Sequence, residues 1–478
     1  MKKLFHLKQA GTTVRTEIIA GLTTFMTMAY IIALNPNILT NFGAEGQDLW
    51  NAVFLATCIA SAVGTICMAF LANKPFVMAP GMGLNSFFAL VTANIAAMTG
   101  MTYLESYRSA LVIILIEGVV FVVLSVINVR EKIIQAIPLG VRHGIGPAIG
   151  LMLMNIGFGS NAGVFVFNED GSSSQFYVMR DFFGALTATS AKNTMTSGYN
   201  MMILTALTMF IGLFVIVALD HKKVRGSVLF GMIIASVFYW IGEAVFFGIN
   251  PFESLKTASF VPPFKDLVNT TFFKLDFTGF FSIGWFTIIT LIITFCIIDM
   301  FDTIGTLVGT ASRANMLNET GTMPNMREAL LSDALGTVTG AATGTSTVTT
   351  FVESASGVEA GGRTGLTSLT AAALFLLCMF IAPLAAIIPP AATSSALIYV
   401  GILMLGNLRE IDFDDIYQVL PVGVMLLAMP ISGSIGHGIG LALISYTFIK
   451  VLTGKAKDVS VLTYILSAIF IVKFFLAI

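Results

Sequence analysis

The chain has 478 residues, 56% of them hydrophobic and only 11% charged, with a formal net charge of −1. Soluble globular proteins carry about 25% charged residues, so a soluble particle of this length is excluded, and a lipid bilayer is the solvent that accepts such an apolar surface. The near-zero net charge supplies no basic or acidic field for a nucleic-acid partner.

Met1, Lys2 and Lys3 open the chain, but the first apolar stretch begins near Ile18 and runs to about Leu39. That is a full span and not the short core of a cleavable signal. Further apolar stretches predict spans near 51–72, 76–95, 107–127, 139–159, 200–219, 226–248 and 282–311. A second set falls near 328–342, 346–360, 364–388, 391–407, 415–431 and 434–452, for about fourteen in all. A last apolar run, 460–478, contains Lys473 and either spans or lies along the interface. Cys58, Cys67, Cys296 and Cys378 sit inside apolar runs, with neither metal-ligand spacing nor a disulfide framework. No metal and no cofactor is expected.

Loop charges set the orientation. Lys2, Lys3, Lys8 and Arg15 precede the first span. Lys74 follows the second, Arg130 and Lys132 the fourth, and Lys222, Lys223 and Arg225 the sixth. Arg313 follows the eighth, Arg363 the tenth, Arg409 the twelfth, and Lys455 and Lys457 the fourteenth. Every even-numbered exit is basic, which puts both ends of the fourteen-span unit in the cytoplasm.

The halves echo each other. Ala62-Val63-Gly64-Thr65 in the second span is matched by Ala334-Leu335-Gly336-Thr337 in the ninth. Each is followed by a broken span: Pro75 to Asn85, with Pro80, Gly81 and Gly83, in the first half, and Gly344 to Glu353, with its β-branched run, in the second. Span three therefore corresponds to span ten. The offset of seven is odd, so the halves are inverted, the plan of secondary transporters. Proline and glycine disfavour a continuous helix, and threonine and valine favour extended backbone. Two short strands are predicted near the midplane, at about 76–79 and 346–350, each followed by a half-helix whose N-terminus points into a cavity. The Gly336, Gly340, Gly344 series reads instead as helix packing.

A carboxylate at a helix centre in the membrane costs about 2.5–3.5 kcal/mol on the insertion scale, yet Asp299 and Asp302 lie in span eight and Glu353 opens the tenth half-helix. No Lys or Arg is near in sequence to neutralise them, and burial favours the protonated form of such a group. These three are the candidate proton-coupling residues. Glu117, Asp333 and Glu243, also in or near spans, read as structural or interfacial, and His143 and His437 as structural. Asn85 follows the first break where Glu353 follows the second. Its amide, with donors and an acceptor, facing a carboxylate suits a flat heterocycle. A ring of that kind would stack on Phe351 or another aromatic.

Three stretches carry a family resemblance. They are Asn73-Lys74-Pro75 through Ala79-Pro80-Gly81-Met82-Gly83-Leu84-Asn85-Ser86-Phe87-Phe88, then Phe301-Asp302-Thr303-Ile304-Gly305-Thr306-Leu307, and then Gly344 through Glu359 with Gly361-Gly362-Arg363-Thr364-Gly365. Over nearly the whole chain it resembles the azaguanine-like branch of the nucleobase–cation symporter-2 family, the hypoxanthine, guanine and adenine permeases. The resemblance implies an all-α polytopic membrane protein of two inverted seven-helix repeats. A core domain would take 16–127 and 279–388, and a gate domain 128–250, with an outer insertion at 161–199, and 389–454. Residues 1–15 would be a cytoplasmic N-terminus and 455–478 a C-terminal apolar segment. It implies proton symport of a purine nucleobase across the plasma membrane, with H⁺ in preference to Na⁺. Asn85, Asp302 and Glu353 would line the purine site, with backbone amides at Gly83 and Val352. In related uracil carriers a His stands where this chain has Thr306, which does not titrate. A homodimer is one assembly this plan allows.

Other function classes are less well served. An anion exchanger of the same fold would not place a carboxylate at Glu353. A membrane-embedded enzyme would need a metal cluster, a nucleophile–base pair or a phosphate loop, and none is visible. A channel shares the two broken spans and would be separated by unsaturated flux.

Overall fold

The computed structural model describes residues 4–41, 44–127, 137–159, 165–167, 173–175, 196–256, 258–313, 316, 323–432 and 434–476. Each candidate span overlaps helix. In the first half these are α1 (Val14–Met28), α2 (Ile31–Leu39), α3 (Gln47–Cys67), α4 (Met82–Thr99), α5 (Tyr103–Val126), α6 (Leu139–Phe158), α7 (Thr196–His221) and α8 (Ser227–Gly242). Two short helices, α9 (Phe264–Thr270) and α10 (Phe277–Ser282), join the halves. The second half holds α11 (Trp285–Arg313), α12 (Met326–Thr343), α13 (Ser354–Glu359), α14 (Gly365–Cys378), α15 (Ala382–Ala386), α16 (Pro390–Met404), α17 (Ile416–Ser432) and α18 (Ile435–Leu452). The last apolar run is α19 (Val461–Leu476).

Among the described residues nine helical stretches are long and apolar enough to cross a membrane, from Val14–Leu39 to Ile435–Leu452. Large apolar side chains such as Phe214, Phe246 and Leu377 stand exposed on them, as lipid-facing surface requires. The loop 128–136, with Arg130 and Lys132, and most of the expected insertion 161–199 lie outside the described residues, as do Lys2 and Lys3. Within 161–199 a hairpin pairs β2 (Phe165–Phe167) with β3 (Ser173–Gln175), and α7 begins at Thr196.

Both breaks are extended. Strand β1 (Met78–Pro80) pairs antiparallel with β4 (Val348–Thr350), in the register Met78 to Thr350, Ala79 to Thr349 and Pro80 to Val348. Gly81 N–H donates to Thr347 O at 3.0 Å and Phe351 N–H to Val77 O at 3.0 Å. Hydrogen-bonded pairs alternate in an antiparallel ladder. Pro80 therefore occupies a non-bonded position, where its missing N–H costs nothing. The ladder sits slightly C-terminal to the expected 76–79 and covers only the last three residues of 346–350.

The echoed tetrapeptides meet at the centre. A Cβ on Gly64 of α3 would lie 3.3 Å from Gly336 Cα of α12 and 3.3 Å from Val348 Cγ1. The adjacent threonines bind the outer edges of the ladder. Thr65 Oγ1 accepts from Met78 N–H at 3.0 Å and donates to Met78 O at 3.2 Å, and Thr337 Oγ1 donates to Val348 O at 3.1 Å. Glycine lets two backbones approach, and threonine satisfies the strand polar groups that the helix crossing buries. Equivalent residues of the two halves thus do equivalent work on either side of the crossing, as an inverted repeat requires.

The half-helices differ. α4 follows Gly81 at once and runs for 18 residues. α13 has only six, because the chain turns at Gly361 in the left-handed region (φ 101°). Elsewhere the packing forms two groups. α12 packs on α3 and α5, and α14 on α1 and α3, whereas α6 packs on α16 and α17, and α16 on α7 and α8.

Candidate functional site

The ladder brings together the end of β1, the start of α4, the middle of α11 and the base of α13. Glu353, half-buried at the base of α13, accepts a hydrogen bond from the Tyr30 hydroxyl at 2.6 Å. Tyr30 lies where the first span is interrupted between α1 and α2. A second tie joins Thr27 Oγ1 of α1 to Ser356 Oγ of α13 at 3.0 Å, so the base of α13 is bonded to the first span at two points. Asp302 is half-buried and has no hydrogen-bond partner among the described residues. A Cβ on Gly81 would lie 3.3 Å from Asp302 Oδ2 and 2.6 Å from Thr349 Cγ2. The bare backbone at Gly81 is what lets this carboxylate lie against the ladder. Asp302 is also near enough to feel the charge of Glu353. Val352, between buried Phe351 and buried Ser354, is 48% exposed, so the chain opens a face here in an otherwise closed region.

Other expected residues are placed differently. Asn85 is fully buried, its Nδ2 donates to Pro80 O at 3.2 Å, and its Oδ1 accepts from Ser346 Oγ. It braces one break against the other, with one protein partner at each end of its amide. Gly83 gives α4 its close approach to α6, since a Cβ there would lie 2.7 Å from Ile149 Cγ2. The Phe351 ring is 5% exposed and belongs to the apolar core, which leaves no open face for stacking. Asp299 is fully buried and accepts from Thr303 Oγ1 at 3.1 Å.

Several participants were not singled out from sequence, or were read as structural. Tyr30 is one, and its signal was a phenol hydroxyl at the head of the apolar run Ile31-Ile32-Ala33-Leu34. Thr303 and Asp333 are others. Glu117, buried on α5, accepts from Thr347 Oγ1 at 2.7 Å. Glu17 is fully buried and takes the Arg363, Thr364 and Thr367 N–H groups and the Thr367 hydroxyl, the last at 2.6 Å. Its charge is thereby met by the N-terminus of α14.

The model of the Permease family matches residues 15–431. The chain belongs to that family. It is 38% identical over 475 residues to a putative permease of Methanocaldococcus jannaschii, covering 99% of this chain and 98% of that one. It is 35% identical over 474 residues to the adenine permease AdeP of Escherichia coli, covering 99% and 95%. It is also 35% identical over 475 residues to the guanine/hypoxanthine permease PbuO of Bacillus subtilis, covering 99% and 100%. The resemblance carried by the three motifs is borne out by these relatives. Among solved structures, the transmembrane domain of the cyanobacterial bicarbonate transporter BicA superposes with a TM-score of 0.63 at 15% identity, over 90% of this chain and 97% of that one. The murine anion transporter Slc26a9 gives 0.58 at 12% identity, over 92% and 68%. At such identities the likeness is one of fold. This permease is therefore a multi-pass membrane transporter with an inverted-repeat fold, and not an enzyme.

Tyr30→Phe tests the anchoring of Glu353. A charge-assisted hydrogen bond is worth about 1.5–3 kcal/mol. Losing it should loosen the carboxylate and weaken ligand binding by about three- to tenfold. Titration calorimetry on the purified protein checks this, and unchanged affinity would show that Glu353 holds its position without Tyr30.

Proposed function

We propose that this permease imports purine nucleobases by proton symport with alternating access, across the plasma membrane, with its N-terminus in the cytoplasm. The observation that carries the reading is the pair of carboxylates at the joined breaks, Glu353 held by Tyr30 and Asp302 left open beside Gly81. Carboxylates accept hydrogen bonds from ring and exocyclic N–H groups, which a purine presents and a simple anion does not. Relatives of nearly equal length are an adenine permease and guanine/hypoxanthine permeases, which favours the same ligand class here. Asp302, Glu353 and the backbone at Val352 would meet the base. Asn85 would keep the two breaks in register.

The two packing groups support a division into a core domain (16–127 and 279–388) and a gate domain (128–250 and 389–454). The contact of Gly83 with Ile149 lies on the boundary between them, so the site would border the surface along which one domain moves past the other. Protons are favoured as the coupling ion because the site is built from carboxylates at membrane depth.

The test is uptake of radiolabelled hypoxanthine, guanine, adenine, uracil and xanthine in transport-deficient cells, with and without an uncoupler. Saturable purine uptake that collapses on uncoupling is expected. Sodium-dependent uptake indifferent to pH would remove the proton and keep the purine, and unsaturated flux would make the protein a channel.

A further inference from the structure

Beside β4, one oxygen collects three partners. Thr303 Oγ1 lies 3.1 Å from Asp299 Oδ1, 2.8 Å from Asp333 Oδ1 and 2.8 Å from Thr349 Oγ1. All four side chains are buried, none more than 1% exposed. These are O–H···O separations, so three hydrogen bonds meet at one hydroxyl. Thr303 supplies one hydrogen and Thr349 another. Three separate donors at this oxygen are available only when one of the two carboxyl groups carries a proton; otherwise the single Thr303 hydrogen is shared between them. We propose that Asp299 and Asp333, bridged by Thr303, form a single-proton site that carries the coupling proton, separate from the carboxylates Asp302 and Glu353 that meet the substrate. This rests on the proton-symport reading above.

The placement gives the proton a route of influence. Thr349 belongs to β4 and pairs with Ala79 of β1, so the bridge is bonded directly to the ladder. Asp302 follows Asp299 by three residues on α11, within one helical turn, and is near enough to feel the charge of Asp333. Loading the pair removes one negative charge from beside the carboxylate that faces the ligand. In a dry site like charges act strongly on one another, so loading changes what Asp302 offers the substrate. Among the described residues, the other carboxyl groups around the joined breaks are Glu353, at the base of α13, and Glu117 on α5. Glu117 reaches the same face of the extended chain through Thr347, two residues from Thr349. Proton loading forms one O–H bond on a carboxylate and unloading breaks it, with no other change in bonding.

The experiment uses the full chain purified into proteoliposomes, with labelled hypoxanthine as probe. Two rates are compared: counterflow without a proton gradient, and accumulation driven by an imposed inward gradient. Asp333→Asn and Asp299→Asn should each lower the ratio of accumulation to counterflow by about tenfold or more. Thr303→Ser, which keeps the hydroxyl, should hold the wild-type ratio, whereas Thr303→Val should lower it and move the pH midpoint of uptake by about one unit. If wild type is proton-driven and Asp333→Asn accumulates as well as wild type, the pair is not the proton site. If the asparagine variants do not fold, the threonine variants decide, and equal ratios and midpoints for Ser and Val overturn the proposal. If wild type is driven by sodium or by no gradient, the symport reading fails, and this inference with it.

Discussion

Glu353→Gln should weaken purine binding by at least about tenfold, the equivalent of about 1.4 kcal/mol. The glutamine keeps the shape of the side chain, and its Oε1 can still accept from Tyr30, which donates to Glu353 Oε1 at 2.6 Å in the wild type. The second oxygen becomes an NH₂ group. Where the carboxylate accepts a ring N–H, the amide presents a donor to a donor, and a buried polar group left without its partner costs about 1–3 kcal/mol. Because the anchor to Tyr30 survives, the loss falls on the ligand and not on the fold. Calorimetric titration with hypoxanthine and guanine, beside a thermal melt to confirm folding, makes the measurement. A folded variant that binds like wild type would place the site elsewhere.

The breaks and the charges of the candidate site were legible in the sequence. Pro80-Gly81 and the threonine run 345–350 are local signals, and both break the helix where expected. The carboxylates were legible because apolar spans leave them conspicuous. What could not be read is which polar group each side chain finds. The partners of Glu353, Asn85 and Thr303 lie 323, 261 and 30 residues away, so their roles depend on how the halves interlock. Asn85 illustrates the limit. Its amide chemistry suits a heterocycle and a hydrogen-bond brace equally well, and the brace becomes visible only once Ser346 is found as its partner. Asp333 illustrates the converse. In sequence it is one carboxylate near a span end, and it acquires meaning from Thr303, which lies on another helix. The echo of Ala-Val-Gly-Thr and Ala-Leu-Gly-Thr pointed to an internal repeat but not to its physical cause, which is a crossing point with two strands bonded to it.

That crossing supplies the second large effect. Gly336→Val should destabilise the permease by about 1–3 kcal/mol, the range for overpacking a filled interior. A Cβ at Gly336 would already lie 3.0 Å from Val348 Cγ1 and 3.3 Å from Gly64 Cα. Two further methyl groups leave α12 and α3 no way to keep their spacing. The strain passes to the ladder, because Val348 is the β4 residue that pairs with Pro80 and accepts from Thr337. Moving β4 also moves Glu353, three residues beyond its end, so hypoxanthine binding should fall along with the melting temperature. Helix propensity acts in the opposite direction, since replacing a mid-helix glycine by alanine gains about 1 kcal/mol. Gly423 in α17 is the control, because a Cβ there meets nothing within 4 Å. Gly423→Ala should raise the melting temperature of the detergent-solubilised protein, and Gly336→Ala should fall short of that gain by the energy of the clash. Equal gains at the two positions would mean that the helices cross with room to spare, and the explanation offered for the repeated glycine would fail.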